Sequence, residues 1–172
     1  MNQSAAKNHN EKSRFKIARS RRINLSQRHS LKTMAQLDKI HNAVKNALVK
    51  DGWTITADPF RIEFKEYRLY ADLSAERPIA AERGNEKIVV EIKSFLSRSS
   101  VSDFENALGQ YLLYRRLLSQ IAPEAKLFLA VSEATYTDFF VLKATQFIIK
   151  AEEISLFTVN LESEEIERWI KH

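Results

Sequence analysis

The 172-residue chain has no cysteine, only three glycines and three prolines, and four histidines. Without cysteine there is no disulfide, no thiolate metal site and no thiol nucleophile, which fits a reducing, cytoplasmic setting. The glycines are Gly52, Gly84 and Gly109, so neither a G-x-G-x-x-G fingerprint nor a Walker-type phosphate loop can be written. His9 and His29 lie near the N-terminus and His172 is the last residue. That leaves His41 alone inside the body of the chain and excludes a multi-histidine zinc centre. No run of 18 apolar residues occurs, so no membrane-spanning helix is expected. Any chemistry must come from carboxylates, lysine, Ser/Thr, Tyr or a bound metal.

What is present divides unevenly. Nine of the 27 Lys/Arg and one of the 22 Asp/Glu fall in residues 1–33, giving that segment +8. The remaining 18 and 21 give residues 34–172 a net −3, so the overall +5 belongs to the tail. The tail is rich in Ser, Asn, Lys and Arg and poor in large apolar residues, a composition that predicts disorder. It reads as a nucleic-acid arm, as an acid-poor transit peptide, or as upstream reading frame with translation starting at Met34. The last reading is preferred, because organised sequence begins directly after Met34. Residues 34–172 form one domain of ordinary size.

Leu37, Ile40, Val44, Ala47 and Leu48 recur at helical spacing, with Gly52 as a stop signal. Short strands are predicted at 53–56, 60–64 and 67–73. A hairpin follows, 79–83 and 86–94 about the turn pair Gly84-Asn85. A second long helix spans 101–120, then a strand at 126–131, a short helix at 133–140 and a strand at 156–160. Residues 164–170 read as either helix or strand. This order predicts an α/β sandwich around a mixed sheet.

The stretch 87–94 (KIVVEIKS) carries the most chemical information. Ile88, Val89 and Val90 are apolar on both faces, as in the middle of a covered sheet. Glu91 and Lys93 share one face at its end, because side chains alternate with period two. Buried charges are costly unless paired or metal-bound. If Gly84-Asn85 is a two-residue turn, paired residue numbers sum to 169, which sets Glu76 opposite Lys93 and Pro78 opposite Glu91. Pro78 makes pairing beyond it unreliable, and Asp72 could equally be bent towards Glu91. Glu82, facing Lys87 at the turn, reads as a solvated surface pair. Two acids and a lysine at one point suit Mg²⁺ or Mn²⁺ and phosphodiester hydrolysis. The alternative is a plain ion pair at a strand end.

The pattern of acid, apolar strand and Glu-x-Lys resembles the PD-(D/E)xK nuclease superfamily, whose core is a mixed sheet flanked by helices. Gln110 and Tyr114 resemble the Q-x-x-x-Y element of its RecB-type members; at i and i+4 they share a helix face. The strings AVKNAL (43–48), KDGW (50–53), AERPIAAE (75–82), VEIKSF (90–95) and ALGQY (107–111) are similar to the XisH family of fdxN-element excision controlling factors. That resemblance spans about residues 34–172, and the basic extension departs from it. It implies a restriction-endonuclease-like or tRNA-endonuclease-like fold and a role in excising a DNA element with a site-specific recombinase and a small XisI-like partner. Residue by residue, Glu91 and Lys93 become the Glu-x-Lys pair. Asp72 becomes the preceding acid, with Glu76 its rival, so that Asp72 and Glu91 would hold the metal.

His41 lies on the apolar stripe of the first helix and reads as a further site residue or as a satisfied core histidine. Gln110 and Tyr114 face the same choice. Arg98, Arg115 and Arg116 read as a modest basic patch, a phosphate contact or solvated surface. The expected function is DNA-element excision with metal-dependent phosphodiester hydrolysis. The alternative is a non-catalytic regulatory subunit that keeps the nuclease fold as a scaffold for a protein partner.

Overall fold

A computed structural model describes residues 25–65, 67–69 and 79–172. Helix α1 (Leu25–Lys50) leads into the strands β1 (Thr54–Ala57), β2 (Ile62–Phe64), β3 (Tyr67–Leu69), β4 (Ile79–Arg83) and β5 (Glu86–Ile92). Helix α2 (Ser100–Ile121) and strand β6 (Ala125–Ser132) follow. Next come α3 (Glu133–Thr135), which runs on into a π-helical turn at Tyr136–Phe140, then α4 (Lys143–Ala151), β7 (Leu156–Asn160) and β8 (Glu165–Ile170). Among the described residues no helix is long and apolar enough to cross a membrane.

Six strands form one open sheet in the order β1-β4-β5-β6-β7-β8, with β2 and β3 paired separately. The sheet is mixed: β5, β6 and β7 run parallel, and the pairs β1/β4, β4/β5 and β7/β8 are antiparallel. The parallel steps are the two with helical crossovers, as chain reversal requires. The hairpin register is the expected one, Arg83 opposite Glu86 and Ile79 opposite Val90. Gly84 turns it at φ +60°, a conformation open to glycine at little steric cost.

Alternation along β5 builds two cores. Ile88, Val90 and Ile92 pack with Ile40, Val44 and Leu48 of α1 on one face. Val89 packs on the other face with Phe104, Ala107 and Tyr111 of α2, and with Ile62 of the β2–β3 hairpin. Helix α1 ends where Gly52, at φ +85°, lets Trp53 N donate to Leu48 O at 2.9 Å and Gly52 N to Val49 O at 3.1 Å. This pair of bonds is the glycine-capped stop expected at this point.

Two elements differ from the sequence reading, and one that it left open is decided. Helix α1 begins at Leu25, so the expected boundary at Met34 falls inside it and residues 25–33 are helical; residues 1–24 lie outside the described part. Helix α4 was not anticipated. Residues 165–170 form a strand, settled by antiparallel pairing with β7.

Candidate active site

Glu91 and Lys93 leave the carboxyl end of β5 together. Glu91 is 2% exposed and Lys93 8%, and Lys93 Nζ lies 3.2 Å from Glu91 Oε1. Both belong to the face of Val89, the α2 side, by strand alternation. The backbone N–H of Lys93 donates to Ala130 O at 2.9 Å, which extends the β5–β6 ladder past the strand's end and fixes where the ammonium departs. Two residues on, Phe95 turns the chain at φ +51°, a strained conformation for a bulky side chain. Its ring sits against Phe139 and Phe140, with centroids at 5.8 and 5.2 Å, and this aromatic packing holds the turn in place.

Helix α2 supplies the opposing wall. Ser99 caps it, accepting from Ser102 N at 3.2 Å, and Asp103 accepts from Ser97 N at 3.0 Å, so the loop from Phe95 is tied to the helix start. Tyr111 pins the layer to the sheet: its hydroxyl donates to Leu127 O at 3.1 Å and accepts from Ser155 N at 3.0 Å. Burial raises the Tyr111 hydroxyl above its ordinary pKa. Tyr114, also buried, lies within reach of Glu91. Burial first, then the Glu91 charge, pushes its hydroxyl up to about 12. Gln110, one turn earlier on the same face, encloses an amide oxygen that has no hydrogen-bond partner among the described residues.

Glu91, Lys93 and Tyr114 are thus brought together, with Gln110 beside Tyr114. His41 is a buried residue of α1 whose hydrogen-bond partner is Asp58. Its Nε2 lies 2.9 Å from Asp58 Oδ1 while Lys45 Nζ donates to Asp58 Oδ2 at 2.8 Å. Burial works against the Asp58 charge, but the Lys45 hydrogen bond and the nearby His41 and Lys45 charges outweigh it and hold its pKa below the ordinary 3.8. An ionised carboxylate only accepts, so the His41 proton sits on Nε2. Nδ1 is then enclosed, with no hydrogen-bond partner among the described residues. The sequence reading singled out neither Asp58 nor Lys45 as a site residue.

Asp72 and Glu76, the two candidates for the preceding acid, lie outside the described residues. Among those described, no group of three or more His, Cys, Asp or Glu gathers as a metal cluster. Glu82 pairs with Lys87 across the hairpin and both are exposed. The basic patch does not form: Arg98 precedes α2, whereas Arg115 lies fifteen residues beyond the helix's first, about 22 Å along its axis. Arg115 turns to the carbonyl of Glu152.

The architecture defines a mixed α/β protein whose central strand delivers a buried acid–lysine pair against one covering helix. The family model described as XisH protein matches residues 34–167, and the chain belongs to the XisH family. Two solved structures are similar to this chain. The crystal structure of an XisH family protein from Nostoc punctiforme PCC 73102 is 42% identical with a TM-score of 0.72, covering 78% of this chain and 100% of that one. The crystal structure of a fdxN element excision controlling factor protein from Anabaena variabilis is 41% identical, also with a TM-score of 0.72, covering 78% and 99%. The comparison with curated proteins gives no match.

Proposed function

We propose that this chain is an excision controlling factor with a PD-(D/E)xK, restriction-endonuclease-like site that hydrolyses phosphodiester bonds of DNA. The carrying observation is the buried Glu91–Lys93 pair, 3.2 Å apart at the end of a central strand. Replacing a buried ion pair by apolar residues is often neutral or stabilising, so the pair needs a reason beyond stability. The order of elements supports the reading: an antiparallel run β1, β4, β5 is followed by α2 and the parallel strand β6, with Glu-x-Lys on the third strand of the run. The relative from Anabaena variabilis is named as an excision controlling factor, which supplies the DNA context.

Glu91 offers the hard oxygen donors that Mg²⁺ or Mn²⁺ takes, and such ions complete their shell with water. One carboxylate is too few, so a second acid is required; Asp72 is assigned that role and Glu76 is its rival. When bound, the ion would polarise the phosphodiester and lower the pKa of an attacking water. Lys93 would position that water and offset charge developing on the phosphate. Tyr114 keeps its proton far above neutral pH and so remains a hydrogen-bond donor beside Glu91. Gln110 would contact the nucleic-acid strand along the same helix face.

One observation favours a second reading. Residues 34–172 carry a net −3, a poor surface for a free-standing DNA binder. A regulatory subunit that retains the nuclease fold to hold an XisI-like protein or a recombinase would have that charge. Nicking of supercoiled plasmid in Mn²⁺ separates the two: activity in the wild type that is lost in Glu91→Gln supports the enzyme, and equal background in both supports the scaffold.

A further inference from the structure

Helix α4 buries Thr145 and Ile149 and turns outward a face that carries Lys143, Phe147 and Lys150. Phe147 on that face is 74% exposed, and Val141 and Leu142, just before the helix, are 51% and 49% exposed. Lys143 and Lys150 stand at i−4 and i+3 from Phe147, on the same stripe of the helix. Beside them runs a groove of about 500 Å³ that reaches Tyr136 and Ile170. No carboxylate side chain lines it, and α4 itself contains no acid. Scattered exposed apolar residues are ordinary; an exposed phenylalanine bracketed by two lysines over a groove is a more specific arrangement.

We propose that this face docks an acidic amphipathic helix of a protein partner, its apolar side on Phe147 and its flanking carboxylates on Lys143 and Lys150. Charge decides the occupant. A second copy pairing through α4 would bring four ammonium groups together with no acid on either helix. The chain's own residues 1–33 carry +8 and would be repelled as well. Nucleic acid could stack on Phe147, but residues 34–172 carry a net −3. An amphipathic helix in the groove uses Phe147 and both lysines. The inference is independent of the chemistry at Glu91: the groove reaches the sheet edge at β8, three strands and about 14 Å across from β5.

The test uses the full chain and three fluorescent probes: a synthetic helix with a leucine face flanked by glutamates, the same helix flanked by lysines, and single-stranded oligo-dT. Anisotropy should show the acidic helix binding at least about tenfold tighter than the basic one, a difference within reach of two close charge pairs. Phe147→Ser should weaken it by about tenfold or more, and the double variant Lys143→Glu, Lys150→Glu should invert the preference. The basic tail favours the acidic probe in every variant, so the part of the preference that Phe147→Ser and the double lysine variant remove is the part that counts. Circular dichroism matched to wild type shows that the variants fold. Equal binding of both helices, binding indifferent to Phe147, or oligo-dT as the sole Phe147-dependent probe would overturn the proposal. So would a dimer in sedimentation that Phe147→Ser dissociates.

Discussion

Lys93 Nζ lies 3.2 Å from Glu91 Oε1, and both side chains are buried at the carboxyl end of a strand whose middle residues, Ile88, Val89 and Val90, are core. Removing one partner of such a pair leaves a charge in a low-dielectric site. We therefore expect Lys93→Ala to destabilise the protein by about 3–5 kcal/mol, and the double change Glu91→Gln, Lys93→Met to recover most of that loss. Urea unfolding of the three proteins checks this. A Lys93→Ala variant within about 0.5 kcal/mol of wild type would mean that the ammonium is solvated.

The hydroxyl of Tyr114, pushed up to about 12, gives a prediction at high pH. The unfolded chain releases this proton near pH 10, while the folded protein keeps it. The unfolded state then binds fewer protons, so stability is complete below pH 10 and falls as pH rises from about 10 to 12. Two pKa units correspond to about 2–3 kcal/mol. Tyr114→Phe should lose that part of the alkaline decline. Glu91→Gln should lower the Tyr114 pKa without returning it to 10, since burial is the larger cause. Ultraviolet titration of the tyrosines reads the second effect.

How much of this was legible in the sequence depended on how local the cause was. The hairpin register followed from Gly84-Asn85, because a two-residue turn fixes every pairing beyond it. The shared face of Glu91 and Lys93 followed from the period of a strand, and the shared face of Gln110 and Tyr114 from that of a helix. Helix α4 left no comparable signal. Leu142 at its start provides no side-chain cap, and the pair Ile148-Ile149 reads as easily as strand. Residues 25–33 are polar and their described side chains mostly exposed, yet helical. Extending an existing helix adds one hydrogen bond per residue fixed, so a segment too polar to nucleate can still propagate. Which layer a residue joins was set by distant contacts, and His41 illustrates the difficulty. Its position on the apolar stripe was plain, but its partner Asp58 lies on the chain beyond β1, seventeen residues away.

That contact predicts behaviour in acid. Asp58 has its pKa held below 3.8 despite burial, chiefly by the Lys45 hydrogen bond and then by the charges around it. A lowered carboxylate contributes stability above its unfolded pKa and loses it as pH falls through the folded value. Asp58→Asn should therefore flatten the acid limb of the stability curve below about pH 4. Lys45→Met should do so in part, leaving His41 as the remaining partner. Acid titration followed by tryptophan fluorescence checks both, and identical acid midpoints in Asp58→Asn and wild type would show that the contact carries no linkage.

The central claim is that Glu91 and Lys93 form a metal-supporting site, and calorimetric titration of Mn²⁺ into wild type and Glu91→Ala tests it without needing the right DNA or partner. The account predicts saturable binding near one ion per chain in the wild type and none in Glu91→Ala. Unchanged binding in the variant, or no binding in the wild type, would contradict it.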